Sequence, residues 1–136
     1  MLAIPVVDGV PLHCINEAAI EYHVPAKLII SILDVERGKI GRIERNKNGS
    51  YDIGPMQINS SWLPTLKRYG ITRENVLFNP CTNIRIGTWI LAQAIAGEND
   101  LLTGVGDYNS HTKRYNQNYY YKVKISFTKI HLYLSN

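Results

Sequence analysis

Apolar residues recur at helical spacing in the first third of the chain and predict two short helices. The first is expected over residues 15–23. The second begins after Pro25, since the first turn of a helix does not use the N–H that proline lacks. It should run to about Glu36, and Gly38 is placed to end it.

The pattern changes over residues 39–59, where turn-forming residues replace the apolar stripe. The pair Asn48-Gly49 is a strong hairpin signal, because both residues tolerate the positive φ of a tight hairpin turn. Residues 42–45 and 50–53 are expected to form the flanking strands. The sequence therefore predicts a small antiparallel sheet inserted about a third of the way along the chain.

The second half of the chain predicts helices joined by short turns. Thr72 and Asn79 are residue types that cap helices, and Pro80 suits a first helical turn. Gly97 is placed to end a long apolar helix. Beyond Lys124 the apolar residues fit neither the helical nor the strand period. The helices are expected over 60–69, 73–77 and 80–96, with helix and loop over 104–123.

These elements together predict an α+β fold that is mostly α-helical, with two lobes and a cleft between them. The chain has 136 residues, which is enough for one domain with one core. Hydrophobic residues make up 45% and charged residues 19%, a balance that argues against a disordered chain. No apolar stretch approaches the roughly 20 residues that cross a bilayer, so no membrane span is expected.

The net charge and the N-terminal residues of the chain change this prediction only slightly. The net charge of +4 favours an anionic partner. Nucleic acid is not the expected partner, because Lys and Arg are scattered and groove-reading motifs are missing. No Lys or Arg precedes Lys27, so we expect no secretory signal in this chain. Either a signal has been removed or the protein is not exported by that route.

Glu36 is the first candidate for chemistry, because the apolar stripe of residues 28–33 ends in its carboxyl group. Asp34 lies on another side of the same helix and is expected to face water. Partial burial and the negative end of the helix dipole would both raise the pKa of Glu36. A general acid at neutral pH requires a raised pKa. A surface glutamate with a half-buried stem is the alternative.

The segment 48–62 has the polarity of a sugar-binding surface. Asp52, Gln57 and Asn59 lie at alternating positions, which share a face on a strand. Gly54 permits close approach of a ligand to the backbone. Amides beside an aromatic ring can bind the hydroxyl and acetamido groups and the flat face of a sugar. An ordinary hairpin with polar turn residues is the alternative.

The cluster Asp107-Tyr108-Asn109 could hold a buried carboxyl in position through the tyrosine hydroxyl, or simply pack at the start of a helix.

Cys14 and Cys81 are either two buried thiols or one disulfide, and the residues alone leave this open. No metal site or cofactor is expected. The histidines, which lack the spacing of metal ligands, are His13, His23, His111 and His131.

Four motifs, in family order, resemble the lytic transglycosylases, which cleave peptidoglycan and have a lysozyme-like fold. They are D-V-E-R from Asp34, N-G-S-Y-D-I-G-P-M-Q-I-N from Asn48, N-P-C-T-N-I-R-I-G from Asn79 and D-Y-N from Asp107. The chain looks most like the small members that accompany conjugation, type IV secretion and type III secretion machines. The resemblance implies one domain over 1–136 with a core of about 13–123, and it leaves the tail 124–136 without a clear counterpart.

The resemblance also implies roles for the matched residues. Glu36 matches the sole catalytic acid/base, which would cleave the bond between N-acetylmuramic acid and N-acetylglucosamine and leave a 1,6-anhydro product. Cys14 and Cys81 match a cysteine pair of this subgroup, which favours a disulfide and a periplasmic or cell-envelope location. The implied partners are peptidoglycan glycan strands and components of a secretion or conjugation machine. The candidate substrate-binding residues are Gly54, Met56, Gln57, Asn59, Tyr108 and Asn109.

Two other functions stay open. Residues 46–62 are also similar to animal-type lysozymes, in which Asp52 would occupy the position of the second carboxylate. A lysozyme-type hydrolase that uses Glu36 and Asp52 is therefore the first alternative. The second is a catalytically inactive, glycan-binding scaffold subunit.

The chain departs from the family pattern at three positions, and the departures at Arg37 and Asp107 keep the inactive alternative open. Arg37, Pro55 and Asp107 stand where the family usually has Ser, Leu and Ala. The negative charge of Asp107 is expected to raise the pKa of Glu36 further, and Arg37 is expected to offset this effect.

Overall fold

The computed structural model describes residues 6–109 and 113–135, and this part of the chain is mostly helical with two small sheets. The helices are α1 (Leu12–Tyr22), α2 (Ala26–Glu36), α3 (Leu63–Arg68), α4 (Arg73–Phe78), α5 (Pro80–Ala96), α6 (Leu101–Asp107) and α7 (Lys113–Ser135). The strands are β1 (Val6–Val7), β2 (Val10–Pro11), β3 (Ile43–Arg45), β4 (Tyr51–Ile53) and β5 (Ile58–Asn59). The predicted α+β, mostly helical architecture is confirmed.

The larger sheet is antiparallel in the order β3-β4-β5. The turn between β3 and β4 contains Asn48 and Gly49, whose φ of +87° is the left-handed conformation that glycine favours. The register pairs Asp52 with Glu44 on one side and with Asn59 on the other. The predicted hairpin is confirmed, and β5 adds a third strand that the sequence pattern did not indicate.

Helix α2, which carries Glu36, is held by its apolar face. Ile29 and Ile32 are fully buried, and Leu33 is nearly so. The helix ends at Glu36, and the next residue, Arg37, adopts a left-handed conformation with φ of 55° and donates its N–H to the Leu33 carbonyl. The predicted helix is confirmed, but Arg37 rather than a glycine provides its C-cap.

Helix α7 continues through the segment for which the sequence showed no period. Val123 and Ser126 are buried, and the Ser126 hydroxyl donates a hydrogen bond of 2.7 Å to the Asp34 carboxylate. Asp34 was expected to face water but is only partly exposed, because α7 packs against α2 and Ser126 contacts its carboxylate. Within the described ranges, no helix combines the length and the apolar character that crossing a bilayer requires.

Side-chain caps and a disulfide fix the remaining helices. The Thr72 side chain and Asn75 form a reciprocal capping box at the start of α4. The Asn79 side chain caps α5, as predicted. Cys14 in α1 and Cys81 in α5 form a disulfide, which decides between the two readings of the cysteines. A cross-link over 67 residues stabilises the fold by roughly 4 kcal/mol in the chain-entropy model.

Candidate active site

A cavity of about 260 Å³, here called the cleft cavity, opens between the larger sheet and the helices. Its walls combine carboxyl groups, amides and aromatic rings, which suits a polar ligand with flat apolar faces. It is lined by Glu36, Asn46, Asp52, Gln57, Ile58, Asn59, Trp62, Ile90, Tyr108 and Asn109.

Glu36, the last residue of α2, is half-buried in the wall of the cleft cavity. Burial is the largest cause that raises its pKa from 4.5 to about 8, and the negative charges of Asp52 and Glu44 act in the same direction. The positive charge of Lys122 and the hydroxyl of Tyr119 lower the pKa without cancelling the increase. The Glu36 carboxyl group therefore carries a proton at neutral pH.

Two tyrosines lie beside this carboxyl group, the half-buried Tyr108 and the buried Tyr119. The Tyr108 hydroxyl donates a hydrogen bond of 2.7 Å to the Met56 carbonyl, and the ring stacks on Tyr119 with centroids 6.3 Å apart. Among the described residues, the buried Tyr119 hydroxyl has no hydrogen-bond partner. Burial, and then the charge of Glu36, raise the pKa of Tyr119. A neutral phenol thus lies close to Glu36 and can donate to its carboxylate when that group is charged.

The opposite wall of the cleft cavity is a polar network on the sheet. The Asn59 amide donates to the Asp52 carboxylate at 3.0 Å and to the Ser50 hydroxyl at 3.1 Å. The Asn46 amide donates to the same hydroxyl at 3.1 Å. Asp52 is half-buried and held by a neutral donor, so its surroundings are more polar than those of Glu36.

A buried asparagine fixes the turn between β4 and β5. The Asn83 amide donates to the Ile53 carbonyl at 3.0 Å, and its side-chain oxygen accepts the Met56 N–H at 3.0 Å. Gly54 has a φ of +67°, and a Cβ there would lie 2.3 Å from the Asn83 side-chain nitrogen. Asn83 thereby attaches the turn to α5, and the turn leads directly into Gln57 on the wall of the cleft cavity.

The same turn also fixes the end of α2. A Cβ on Gly38 would lie 1.8 Å from the Gly54 carbonyl oxygen, so the backbone after Glu36 passes directly against the turn. The Gln57 amide donates to that carbonyl at 3.0 Å. Glycine at position 38 is therefore required by this close approach, not by the helix end that the sequence analysis assigned to it.

Two of the predicted substrate-binding residues lie behind the wall of the cavity. The Met56 side chain is fully buried against α5, where a Cβ on Gly87 would lie 2.4 Å from its sulfur. The space beside the Gly54 Cα is occupied by the Asn83 side chain and is not open to a ligand. Gly54 and Met56 thus shape the turn behind the cavity, and their part in substrate binding stays a prediction. Gln57, Asn59, Tyr108 and Asn109 do line the cavity.

The expected effects of Asp107 and Arg37 on Glu36 are wrong. The Asp107 carboxylate accepts a hydrogen bond of 2.6 Å from Asn116, and the Arg37 side chain is exposed and donates to the Asp34 carbonyl at 3.2 Å. The charges that act on Glu36 come instead from the neighbouring strands and from Lys122 in α7.

Sequence reasoning missed several residues of the site. Asn83 was detectable, because it is a lone amide inside the apolar stripe of α5 and follows the cap residue by one turn. Tyr119, Val123 and Ser126 are buried at helical spacing, but the polar members of this stripe concealed it. Lys122 and Asn46 carried no local signal, because their roles depend on contacts between distant elements.

The described residues offer one group with metal-binding atoms. The side-chain ligand atoms of His13, Cys14 and Cys81 lie within 4.8 Å of one another. Both sulfurs are joined in the disulfide, so neither is a thiolate ligand in this structure. His111 and the side chain of His131 lie outside what the structure describes. The expectation of no metal or cofactor stays a prediction.

A helical body, a small antiparallel sheet and a protonated glutamate in the cavity between them define a lysozyme-like protein. The transglycosylase SLT domain family matches residues 13–128. The chain belongs to this family, which confirms both the expected lysozyme-like fold and the resemblance to lytic transglycosylases.

Three individual relatives are between 29% and 35% identical to this chain over the aligned residues. A "Peptidoglycan-binding-like protein" of Escherichia coli O157:H7 is 35% identical over 129 residues, which cover 86% of this chain and 77% of that protein. Invasion protein IagB of Salmonella typhimurium is 33% identical over 100 residues, covering 73% of this chain and 62% of IagB. Protein IpgF of Shigella flexneri is 29% identical over 100 residues, covering 73% and 66%.

Proposed function

We propose that this protein is a peptidoglycan lytic transglycosylase. It cleaves the β-1,4 bond between N-acetylmuramic acid and N-acetylglucosamine and leaves a 1,6-anhydro product. The observation that carries the proposal is the proton-bearing carboxyl group of Glu36, whose pKa is about 8, in a cavity lined by amides and aromatic rings. The proposed reaction uses no metal or cofactor.

Glu36 acts first as an acid and then as a base. Its carboxyl proton goes to the glycosidic oxygen, the bond from that oxygen to the anomeric carbon breaks, and an oxocarbenium-like centre forms. The acetamido oxygen of the muramoyl unit assists at this carbon. The Glu36 carboxylate then takes the proton of the C6 hydroxyl, whose oxygen bonds to the anomeric carbon. The carboxyl group is regenerated and no water is consumed.

The two tyrosines support different parts of this cycle. Tyr119 can donate a hydrogen bond to the Glu36 carboxylate in the half of the cycle in which it is charged, because its hydroxyl is buried nearby and unpartnered among the described residues. Tyr108 holds the turn behind the cavity through the Met56 carbonyl. Trp62 offers a ring face, and Gln57, Asn59 and Asn109 offer amides to the sugar.

The test is Glu36→Gln, which keeps the shape of the side chain but cannot exchange the proton. The variant and the wild type are assayed by dye release from purified cell walls, and folding is checked by circular dichroism. We expect the variant to fold normally and to release no dye above background. Dye release at the wild-type rate would remove Glu36 from the reaction and overturn the proposal.

A lysozyme-type hydrolase is the second candidate, because the Asp52 carboxylate lines the same cavity and its charge raises the pKa of Glu36. Mass spectrometry of the digest distinguishes the two reactions, since a hydrolysed end is heavier than an anhydro end by one water. We expect anhydro ends. Reducing ends throughout the digest would favour the hydrolase.

An inactive glycan-binding scaffold is a further candidate, supported by the name of the relative from E. coli O157:H7. In that case the protein would sediment with purified walls but release no product. This outcome differs from both enzymatic outcomes in the same dye-release experiment.

The setting of the reaction is proposed on the same grounds. Action on peptidoglycan and the disulfide between Cys14 and Cys81 support the periplasm or cell envelope. One relative is named an invasion protein, which supports local opening of the wall for a secretion or conjugation apparatus.

We propose a single domain over 1–136, with a core of about 13–123. Residues 124–135 continue α7 and pack on α2 through Ser126.

A further inference from the structure

Helix α7 concentrates the positive charge of the protein. The chain has 15 Lys and Arg residues and 11 Asp and Glu residues. Helix α7 contributes several of the basic residues and none of the acidic ones, so the rest of the chain carries slightly more acidic than basic residues. A charge of one sign on a single helix favours an anionic partner. The basic residues of α7 are Lys113, Arg114, Lys122, Lys124 and Lys129.

A groove of about 260 Å³, here called the basic groove, lies between α7 and the end of α2. Three exposed cationic side chains line it, Arg37 from the end of α2 and Lys122 and Lys129 from α7. In the described part of the chain, none of the three forms an ion pair with a carboxylate. The acidic residue of the groove is Asp34, whose carboxylate accepts a hydrogen bond of 2.7 Å from Ser126. The groove therefore has an excess of positive charge.

Exposed apolar side chains lie beside these cations on the outer face of α7. Ile125 lines the basic groove and is 57% exposed, and Tyr121, one turn earlier, is also 57% exposed. Residues four apart share a helix face, so the two side chains form one stripe, here called the apolar stripe. Lys122 and Lys129 border the stripe on the side of the groove, and Lys124 borders it on the other side. Helices that lie in the interface of a membrane have this arrangement of apolar and basic residues.

We propose that the basic groove and the apolar stripe dock the protein onto an anionic phospholipid surface. The lipid phosphates lie against Arg37, Lys122 and Lys129, whose charges are not paired with protein carboxylates in the described ranges. Ile125 and Tyr121 enter the headgroup region, which offers an apolar environment that a soluble anion lacks. Charge thus selects an anionic surface, and the stripe selects a lipid one.

The docking surface is separate from the candidate active site. The basic groove and the cleft cavity share no lining residue, although Glu36 and Arg37 are neighbours in the chain. A lipid phosphate in the groove therefore contacts none of the residues that line the cleft cavity. The inference does not rest on the reaction proposed for Glu36, and it agrees with the proposed cell-envelope location, where the wall and a membrane are adjacent.

Co-sedimentation of the full chain with lipid vesicles tests the inference. The probes are vesicles of phosphatidylglycerol and phosphatidylcholine in equal parts and vesicles of phosphatidylcholine alone. We expect the protein to bind the mixed vesicles at low salt, to leave the neutral vesicles unbound, and to be released as added salt screens the charges. Equal binding to the two kinds of vesicle, or no binding to either, would overturn the proposal.

Two charge-reversal variants with the same net charge locate the docking surface. Lys129→Glu should weaken binding to the mixed vesicles about tenfold, because a repulsion replaces an attraction in the basic groove. Lys67→Glu is the matched control, because Lys67 is exposed on α3 and does not line the groove. It should weaken binding by less than about twofold. Equal losses in the two variants would show that binding follows net charge alone and would contradict the assigned surface.

An uncharged pair of variants tests the apolar stripe. Ile125→Ser should weaken vesicle binding about threefold. Ile20→Ser, at a 77% exposed isoleucine of α1, should bind like the wild type. Equal affinities of the two variants would remove the stripe from the contact, and with it the preference for a lipid surface. Binding to poly-glutamate that depends on Lys129, without binding to vesicles, would identify an acidic polypeptide as the occupant and overturn the membrane proposal.

Discussion

The two walls of the cleft cavity present carboxyl groups in opposite environments. Glu36 ends an apolar helix, and burial is the main reason that its pKa rises to about 8. Asp52 lies on the central strand of the sheet and accepts a hydrogen bond from the Asn59 amide. The helical wall withdraws its carboxyl group from water, whereas the sheet wall surrounds its carboxyl group with polar partners.

This difference separates the chemical roles of the two groups. A carboxyl group that holds its proton at neutral pH can donate it to a leaving oxygen, and in this cavity Glu36 has that property. The Asp52 charge also contributes to the raised pKa of Glu36. The sheet wall thus assists the acid on the helical wall without itself taking part in the proposed proton transfers.

The largest expected difference is between the activities of Glu36→Gln and Asp52→Ala. We expect Glu36→Gln to lower the rate of wall cleavage by about a thousandfold, because general acid–base catalysis is lost. Asp52→Ala should lower the rate by less than about tenfold, because it removes only a charge that helps to keep Glu36 protonated. The measurement is dye release from purified walls under identical conditions. Equal losses in the two variants would instead indicate a mechanism that needs both carboxyl groups.

The raised pKa of Glu36 also predicts a pH-dependent cost to stability. Between the unfolded pKa near 4.5 and the folded pKa of about 8, the folded protein holds one proton more than the unfolded chain. The free energy of unfolding should therefore fall as pH rises through this window, by up to about 1.4 kcal/mol per pH unit from this group. Below the window the contribution of this group is constant, and above it the loss is complete.

Glu36→Gln removes this dependence, so the difference between wild type and variant isolates it. Urea unfolding at about pH 5, 6.5 and 8 should show the variant gaining stability relative to the wild type with each step. A stability difference that stays constant with pH would mean that Glu36 is not shifted.

A smaller effect is expected from Tyr119→Phe, which removes the hydroxyl near Glu36 and keeps the ring. The Glu36 carboxylate loses a donor, so the pKa of Glu36 should rise further and wall cleavage should slow by about tenfold. The readouts are the rate of dye release and its pH profile. Tyr120→Phe, on the adjacent residue of α7, is the control. A lower rate with an unchanged pH profile would assign Tyr119 a packing role instead.

The smallest predicted effect comes from Lys122, whose positive charge lowers the pKa of Glu36. Lys122→Met should raise this pKa by a few tenths of a unit at low salt, and the difference should shrink as salt screens the charge. The upper limb of the pH–rate profile reports the shift. Lys129→Met, about two turns further along α7, should leave the profile in place.

Much of the fold followed from the sequence because the deciding signals are local. The stripe before Glu36 is buried as predicted, and the hairpin forms at Asn48-Gly49. The disulfide followed from the resemblance, since the residues alone left it open. The cap residues Thr72 and Asn79 accept the expected backbone N–H groups.

Only part of the site could be predicted from the sequence, because the remaining residues are placed by contacts between elements that are distant in the chain. The buried face of α7 contains Asn116, Tyr119 and Ser126, whose polar atoms are placed inside the fold by partners elsewhere in the chain or by proximity to Glu36. A periodicity search for apolar residues does not find such a face. The packing of Met56 and Gly54 against α5 could not be predicted for the same reason, because the motif does not reveal which element lies behind it.

The central claim is that the Glu36 carboxyl group holds its proton at neutral pH, and its titration can be followed directly. Carbon-13 NMR of the side-chain carboxyl carbons, assigned with Glu36→Gln, gives the midpoint for this residue as pH is raised. The structure predicts a midpoint at about pH 8. A midpoint near 4.5, the ordinary value for a glutamate, would show that the carboxyl group is charged at neutral pH and would contradict the account.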